Sequence, residues 1–127
     1  MHNLGNKYFL KHIDLVAKKP FIINQGTTII TQPLSISFEP TSNDSSKESN
    51  EILVDNDLLK YPLFVRKWSY GDYICPVGMT GSKKLSQLFK DKKLSLIDKE
   101  NIWLLTDPDD KIIWVVGLRQ DRRFSIQ

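Results

Sequence analysis

Cysteine, histidine and long apolar runs are scarce in this sequence, and each shortage excludes a class of protein. Cys75 is the single cysteine, which rules out a disulfide framework and a cysteine-based metal cluster. A zinc site would depend on His2 and His12, for which the sequence offers no suitable partners. No apolar run approaches the roughly 20 residues that a membrane helix needs, and the N-terminus lacks a secretory signal pattern. We therefore expect a soluble cytoplasmic protein without a membrane partner or a metal.

The charge of the chain is modest overall but unevenly distributed. With 127 residues, of which 40% are hydrophobic, the sequence fits one domain with a packed core. Its net charge is +3, yet residues 66–93 hold seven Lys/Arg against two Asp/Glu, whereas residues 98–111 hold two against five. Because phosphate backbones attract concentrated positive charge, the basic block indicates a polyanionic partner.

The apolar patterns predict an α+β fold, with two packed, mostly antiparallel sheets in a sandwich-like arrangement and two short helices at one edge. In domain terms, we expect residues 1–54 to supply upstream strands and a flexible polar loop at about 40–51, and residues 55–127 to form the basic domain. Residues 8–10 and 13–17 fit either short strands or a helical turn. The remaining predicted strands are Phe21–Ile23, Thr27–Thr31, Leu34–Phe38, Ile52–Val54, Leu63–Trp68, Tyr73–Val77, Ile102–Leu105 and Lys111–Leu118.

Two helices and one turn are predicted from their capping residues. A lysine-rich helix is expected to begin at the N-cap Ser82, behind the loop Gly78–Gly81, with free amides at its N-terminus. Its buried stripe would be Leu85, Leu88 and Phe89, and its cationic face Lys83, Gln87 and Lys90. Ser95 and Asp98 form a capping box for a second short helix that ends near Asn101, and Asp55 is expected to cap the turn that follows it.

Other side chains in the basic block have simpler interpretations. Asp72 and Asp91 are expected to orient Arg66, Lys83 or Lys93 rather than act as acids. Tyr70 and Tyr73 could stack on a base, but duplex RNA offers few unstacked bases, so we expect both to pack in the fold. Trp103 and Trp114 are expected in the core. A lysine-rich helix face is also commonly only a solvated surface.

A larger set of residues in the second part of the chain resembles a known family. The set comprises Leu63, Arg66, Trp68, Gly71-Asp72, Pro76, Gly78-Met79, Gly81, Lys83-Lys84-Leu85-Ser86, Phe89, Asp91 and Lys93, and later Trp114, Gly117, Arg119, Asp121 and Arg123-Phe124. In this order it resembles the C-terminal domain of bacterial tRNA(Ile)-lysidine synthetase, over roughly residues 55–127. Gln87 departs from the pattern, since the family tends to carry an acidic residue there.

The resemblance implies a part of an ATP-dependent ligase that attaches lysine to C2 of the wobble cytidine in the CAU anticodon of tRNA(Ile). In that family, ATP with Mg is bound by an N-terminal catalytic domain that carries a Ser-Gly-Gly-x-Asp-Ser loop, and that loop is absent from this sequence. The resemblance therefore implies no cofactor and no catalysis in these residues. It also implies a fold like the domain shared with the β subunit of phenylalanyl-tRNA synthetase. The partners implied are tRNA(Ile) and the N-terminal catalytic domain, and a homodimer is left open.

The same resemblance implies that these residues hold the acceptor stem and body of the tRNA. The predicted tRNA-binding residues are Arg66, Lys67, Lys83, Lys84, Lys90, Lys93, Arg119, Arg122 and Arg123. The alternative is a structural, interdomain docking module whose basic face meets an acidic protein surface without touching RNA. A self-contained hydrolase or metalloenzyme has the least support, because no nucleophile–base pair, carboxylate dyad or ligand cluster stands out.

Overall fold

The computed structural model describes Lys7, Tyr8, Leu10 and residues 20–41 and 50–126. In chain order the strands are β1 (Phe21–Ile23), β2 (Ile29–Ile30), β3 (Ile36–Ser37), β4 (Leu63–Lys67), β5 (Tyr73–Ile74), β6 (Lys83–Lys84), β7 (Trp103–Thr106), β8 (Ile112–Val115) and β9 (Arg119–Gln120). The α-helices are α1 (Leu85–Asp91) and α2 (Leu96–Glu100), and short 3-10 helices cover Asn56–Leu58 and Arg122–Phe124.

The centre of the fold is a five-stranded antiparallel sheet in the order β1-β4-β7-β8-β9. β4 pairs with β1 on one side and with β7 on the other, so that Val65 lies opposite both Phe21 and Leu105. Two further sheets, β2-β3 and β5-β6, are two-stranded. The predicted fold class is confirmed: the fold is α+β, with antiparallel sheets and two short helices.

Each face of the central sheet carries its own hydrophobic core. Strand alternation sends Leu63 and Val65 to one face, where they pack with Ile36 from β3 and with Phe124 near the C-terminus. Leu104 and Val115 point to the other face. There they meet the buried stripe of α1 and Ile74 of β5, so the basic hairpin and helix are anchored on one side of the sheet.

The capping predictions from local sequence are confirmed. The side chain of Ser95 accepts a hydrogen bond from the Asp98 amide, and the side chain of Asp98 accepts one from the Ser95 amide, so the capping box forms. The helix α2 ends with Asn101 as its C-cap residue. Asp55 caps the 3-10 helix Asn56–Leu58 by accepting a hydrogen bond from the Asp57 amide at 3.0 Å.

The two tryptophans expected in the core differ in burial. Trp114 lies in the core at 9% exposure, and Trp103 is half-buried and packs against that core.

Three local predictions were wrong. Ser82 does not cap the lysine-rich helix, because Lys83–Lys84 first pair with β5 as a strand and Lys84 becomes the N-cap residue. The first helical amide is not free either, since Leu85 N–H donates to the carbonyl of Asp72 at 3.0 Å. Residues 52–54 do not form a strand, and only Val54 makes an isolated bridge, to Ser125.

Some predictions concern parts of the chain outside the described residues. These are the two histidines, residues 9 and 13–17, and residues 42–49 of the polar loop. Among the residues that are described, no helix is long and apolar enough to cross a membrane.

Candidate nucleic-acid interface

The loop between β5 and β6 is fastened by two arginines from the C-terminal part of the chain. Arg119 Nη2 donates to the carbonyl of Val77 at 2.9 Å, and Arg122 Nη1 donates to the carbonyl of Gly81 at 2.6 Å. Gly81 adopts a φ of 78°, a left-handed conformation that favours glycine. A carbonyl carries no net charge, so these bonds position both guanidinium groups and leave their positive charges uncompensated.

Lys84 adds a third positive charge to the same hairpin. It lies opposite Tyr73 in the β5-β6 register, and cross-strand partners share one face of a sheet. Its side chain is exposed and makes no hydrogen bond or ion pair with the rest of the described chain. We refer to Lys84, Arg119 and Arg122 as the hairpin cations.

Unlike the hairpin cations, Arg123 forms an ion pair with a buried carboxylate. Asp121 is 0% exposed and accepts from Arg123 Nε at 3.0 Å and from Arg123 Nη2 at 2.8 Å. It also accepts from the backbone amides of Cys75 and Arg123. Hydrogen bonding to Asp121 raises the pKa of Arg123, and the guanidinium also lies 5.6 Å from the ring centroid of Tyr73. Arg123 therefore connects the C-terminal segment to β5.

Arg66 and Lys67 are also held by contacts within the fold. Arg66 donates to both oxygens of Asp72, at 2.9 and 2.8 Å, and its Nε donates to Asp110 at 3.1 Å. Hydrogen bonding to Asp72 raises the pKa of Arg66. Lys67 Nζ donates to the carbonyl of Glu100 at 2.5 Å and lies 3.9 Å from the ring centroid of Trp103. The expected role of Asp72 as an orienting partner is confirmed.

Lys83 does not lie on the helix face where it was predicted. It belongs to β6, opposite Ile74, and its Nζ bonds to the carboxylate of Asp91 at the end of α1. Gln87 donates to the other Asp91 oxygen at 2.9 Å. Hydrogen bonds from Lys83 and Gln87 lower the pKa of Asp91, which is therefore an orienting partner as expected.

A second group of lysines lies at the C-terminal end of α1. Lys90, Lys92 and Lys93 are exposed and form no ion pair within the described residues. Lys93 follows the C-cap residue Lys92 and adopts the left-handed conformation common after a helix, with a φ of 55°. Positive charge at a helix C-terminus interacts favourably with the helix dipole, so these lysines can stabilise α1 whether or not they bind RNA. Lys92 was missed in the predicted set, although it stands between Asp91 and Lys93 in the basic block.

The two tyrosines of the β4–β5 turn do not pack as expected. Tyr70 is 88% exposed, with a single edge-to-face contact to Trp68 at 5.3 Å between ring centroids. Tyr73 is 48% exposed and has Arg123 beside its ring. The packing prediction was therefore wrong for Tyr70 and only half met by Tyr73.

The described residues hold no group of three or more His, Cys, Asp or Glu side chains that could bind a metal ion. Cys75 is buried and unpaired. On this surface, the hairpin cations and the lysines at the end of α1 can contact phosphates, and the exposed tyrosines can stack on bases.

Comparison with known proteins identifies relatives of this chain. Residues 63–127 match the family model described as TilS substrate C-terminal domain. The chain is 42% identical over 113 residues to the tRNA(Ile)-lysidine synthase of Parabacteroides distasonis, covering 86% of this chain and 26% of that protein. It is 40% identical over 80 residues to that of Bacteroides thetaiotaomicron, covering 63% of this chain and 18% of that protein. The chain thus spans about a quarter or less of the length of these curated relatives.

A solved structure, the crystal structure of a TILS C-terminal domain, has the same fold. The TM-score is 0.66, and the superposition covers 86% of this chain and 87% of that chain. At 24% sequence identity this likeness establishes the fold alone.

Proposed function

Because the chain belongs to the family of TilS substrate C-terminal domains, we propose that it is the tRNA-binding C-terminal part of a tRNA(Ile)-lysidine synthase that acts in the cytoplasm. Its relatives of that name support tRNA as the substrate. The proposed role is to hold the acceptor stem and body of tRNA(Ile).

One observation carries this proposal. Arg119 and Arg122 are positioned by bonds to backbone carbonyls, Lys84 lies on the neighbouring strand β6, and no carboxylate within the described part of the chain neutralises the three charges. In contrast, Arg66 and Lys83 are each paired to carboxylates inside the fold. A fixed cation with an uncompensated charge is suited to a phosphate, because little side-chain entropy remains to be lost when the phosphate binds. We therefore assign RNA contact first to Lys84, Arg119 and Arg122.

This assignment gives tRNA positioning to these residues and the chemical steps to another region of the parent enzyme. Phosphate contacts fix the position of a nucleic acid without reading its sequence. Recognition of the CAU anticodon, binding of ATP with Mg and attachment of lysine then belong to the catalytic region of the parent enzyme. The present residues contribute affinity and orientation.

The test replaces the hairpin cations together, as Lys84→Gln, Arg119→Gln and Arg122→Gln. Glutamine keeps an N–H donor for the Val77 and Gly81 carbonyls while it removes the charge. Binding of tRNA(Ile) to the 127-residue chain is measured by titration at several salt concentrations. We expect weaker binding and a salt slope reduced by about one unit for each lost contact, hence about three units in all.

The matched control removes the same amount of charge elsewhere, as Lys90→Gln, Lys92→Gln and Lys93→Gln. A smaller loss of affinity in this control is expected. If the control weakens binding and the hairpin variant does not, the contact surface lies at the end of α1. If wild-type affinity stays constant as salt rises, phosphate contact is not the main source of binding.

Interdomain docking is a second candidate, supported by a different surface. Leu96 and Ile97 on α2 are 68% and 70% exposed, although both side chains are apolar. Exposed apolar side chains that lie next to each other can form a patch of the kind that marks a protein contact. Mixing the chain with the separately produced catalytic region should show association that Leu96→Asp weakens, without any change in RNA affinity, if α2 is a docking helix.

A further inference from the structure

A cleft of about 310 Å³ opens beside the β5-β6 hairpin, with Tyr73, the cross-strand partner of Lys84, in its wall. It is lined by the β4–β5 turn, by the loop before β8 and by Arg123. Its walls carry one aromatic ring, Tyr73, together with the cations Lys111 and Arg123 and the carboxylates of Asp72, Asp109 and Asp110, of which Asp72 is paired with Arg66. Such a mixture is unusual for a surface that binds only a phosphate chain.

Tyr73 forms a rigid platform in this cleft. The turn before it is fixed by Asp72, which accepts from the Ser69 amide at 2.7 Å and from Nη1 and Nη2 of the Arg66 guanidinium. Arg123 lies 5.6 Å from the Tyr73 ring centroid and is itself anchored on buried Asp121. The residue nevertheless keeps 48% of its surface exposed. A fixed ring with an accessible side is what a nucleobase stacks on.

The charges around the ring match the two polar parts of a nucleotide. Lys84 is the cross-strand partner of Tyr73 and Lys111 lines the cleft, so a phosphate attached to a stacked base would meet two ammonium groups. Asp109 and Asp110 pair with Lys60 and Arg66 through one oxygen each, and the other oxygens have no donor among the described residues. Free carboxylate oxygens accept hydrogen bonds from the amino groups of bases.

We propose that the Tyr73 cleft binds an unpaired nucleotide of the RNA, whose base stacks on Tyr73 and whose phosphate contacts Lys84 and Lys111. This inference rests on the proposed function, because the hairpin cations hold the duplex beside the cleft. It adds to that function a preference for RNA with a single-stranded end or bulge next to a duplex, which phosphate contacts alone do not provide.

The experiment compares two RNAs bound by the 127-residue chain: a blunt hairpin duplex and the same hairpin with a short 3′ overhang. We expect the overhang to increase affinity about five-fold or more. Tyr73→Ala should abolish that increase, so that the two RNAs bind with similar affinity, while Tyr73→Phe should retain it. In addition, 2-aminopurine placed in the overhang should lose fluorescence on binding to wild type but not to Tyr73→Ala.

Tyr70→Ala is the matched control, since it removes a more exposed tyrosine from the same turn, in contact with Trp68 instead of a cation. Equal binding of both RNAs by wild type would overturn the inference and leave the proposed function standing. So would loss of the preference in Tyr70→Ala but not in Tyr73→Ala. Competition by AMP without any overhang preference would assign the cleft to a free nucleotide and overturn it too. Failure to bind either RNA would refute the inference together with the proposed function.

Discussion

Replacing Asp121 by alanine should destabilise the fold more than the loss of any exposed ion pair. The Asp121 carboxylate is 0% exposed and accepts hydrogen bonds from the Cys75 amide, the Arg123 amide and two guanidinium nitrogens. It therefore joins β5 to the segment that carries Arg119 and Arg122. In the variant, the Cys75 amide is left buried without this acceptor and Arg123 loses its counter-charge.

The magnitude follows from these contacts. Removing one partner of a buried ion pair costs about 3–5 kcal/mol, and an unsatisfied buried amide contributes about 1–3 kcal/mol of such a loss. The Arg123 side chain keeps 27% exposure and can be partly hydrated once it is freed. We therefore expect a decrease of about 3 kcal/mol in the free energy of unfolding.

Urea denaturation followed by tryptophan fluorescence measures this decrease. The control is Asp109→Ala, whose side chain is 55% exposed in its pair with Lys60 and should change the free energy by less than about 1 kcal/mol. Comparable losses in both variants would refute the argument that burial makes Asp121 important. A loss below about 1 kcal/mol for Asp121→Ala would do the same.

Three further predictions concern other parts of the chain. Leu88→Ala should lower the free energy of unfolding by about 2–5 kcal/mol in a urea melt, because Leu88 is 4% exposed in the core under α1. Lys83→Met should raise the pKa of Asp91 toward its ordinary value, because the hydrogen bond from Lys83 is the main cause of the lowering; NMR titration of the carboxyl group measures this. Since pairing lowers the Asp91 pKa in the folded state, the stability it contributes should be present at neutral pH and disappear as pH falls through that lowered pKa. Incubation of the chain with ATP, lysine and tRNA should leave the wobble cytidine unmodified in a nucleoside digest, because the sequence contains no Ser-Gly-Gly-x-Asp-Ser loop.

Sequence reasoning succeeded where the determinants are local. The capping box of Ser95 and Asp98 depends on residues three positions apart, and it forms as predicted. The buried stripe of α1, with Leu88 at its centre, follows from helical periodicity and is also confirmed. The resemblance to the synthetase family, read from ordered motifs, is confirmed by the family model.

The same reasoning failed where a distant segment decides the outcome. Lys83 was assigned to the helix because the pattern extends through it, but its pairing with Ile74 makes it part of a strand. The contact of Arg119 with Val77 spans 42 positions, and no local pattern reveals it. Tyr70 was expected to pack because duplex RNA offers few unstacked bases, yet its side chain is exposed to solvent in the turn.

The central claim is that RNA binds at the hairpin cations, and an NMR titration of the ¹⁵N-labelled chain with the tRNA acceptor-stem hairpin tests it most directly. We expect the largest amide shifts in residues 77–84 and 119–123, with much smaller shifts in α2. Shifts confined to α2 around Leu96, or no shifts at RNA concentrations that saturate the parent enzyme, would contradict the claim.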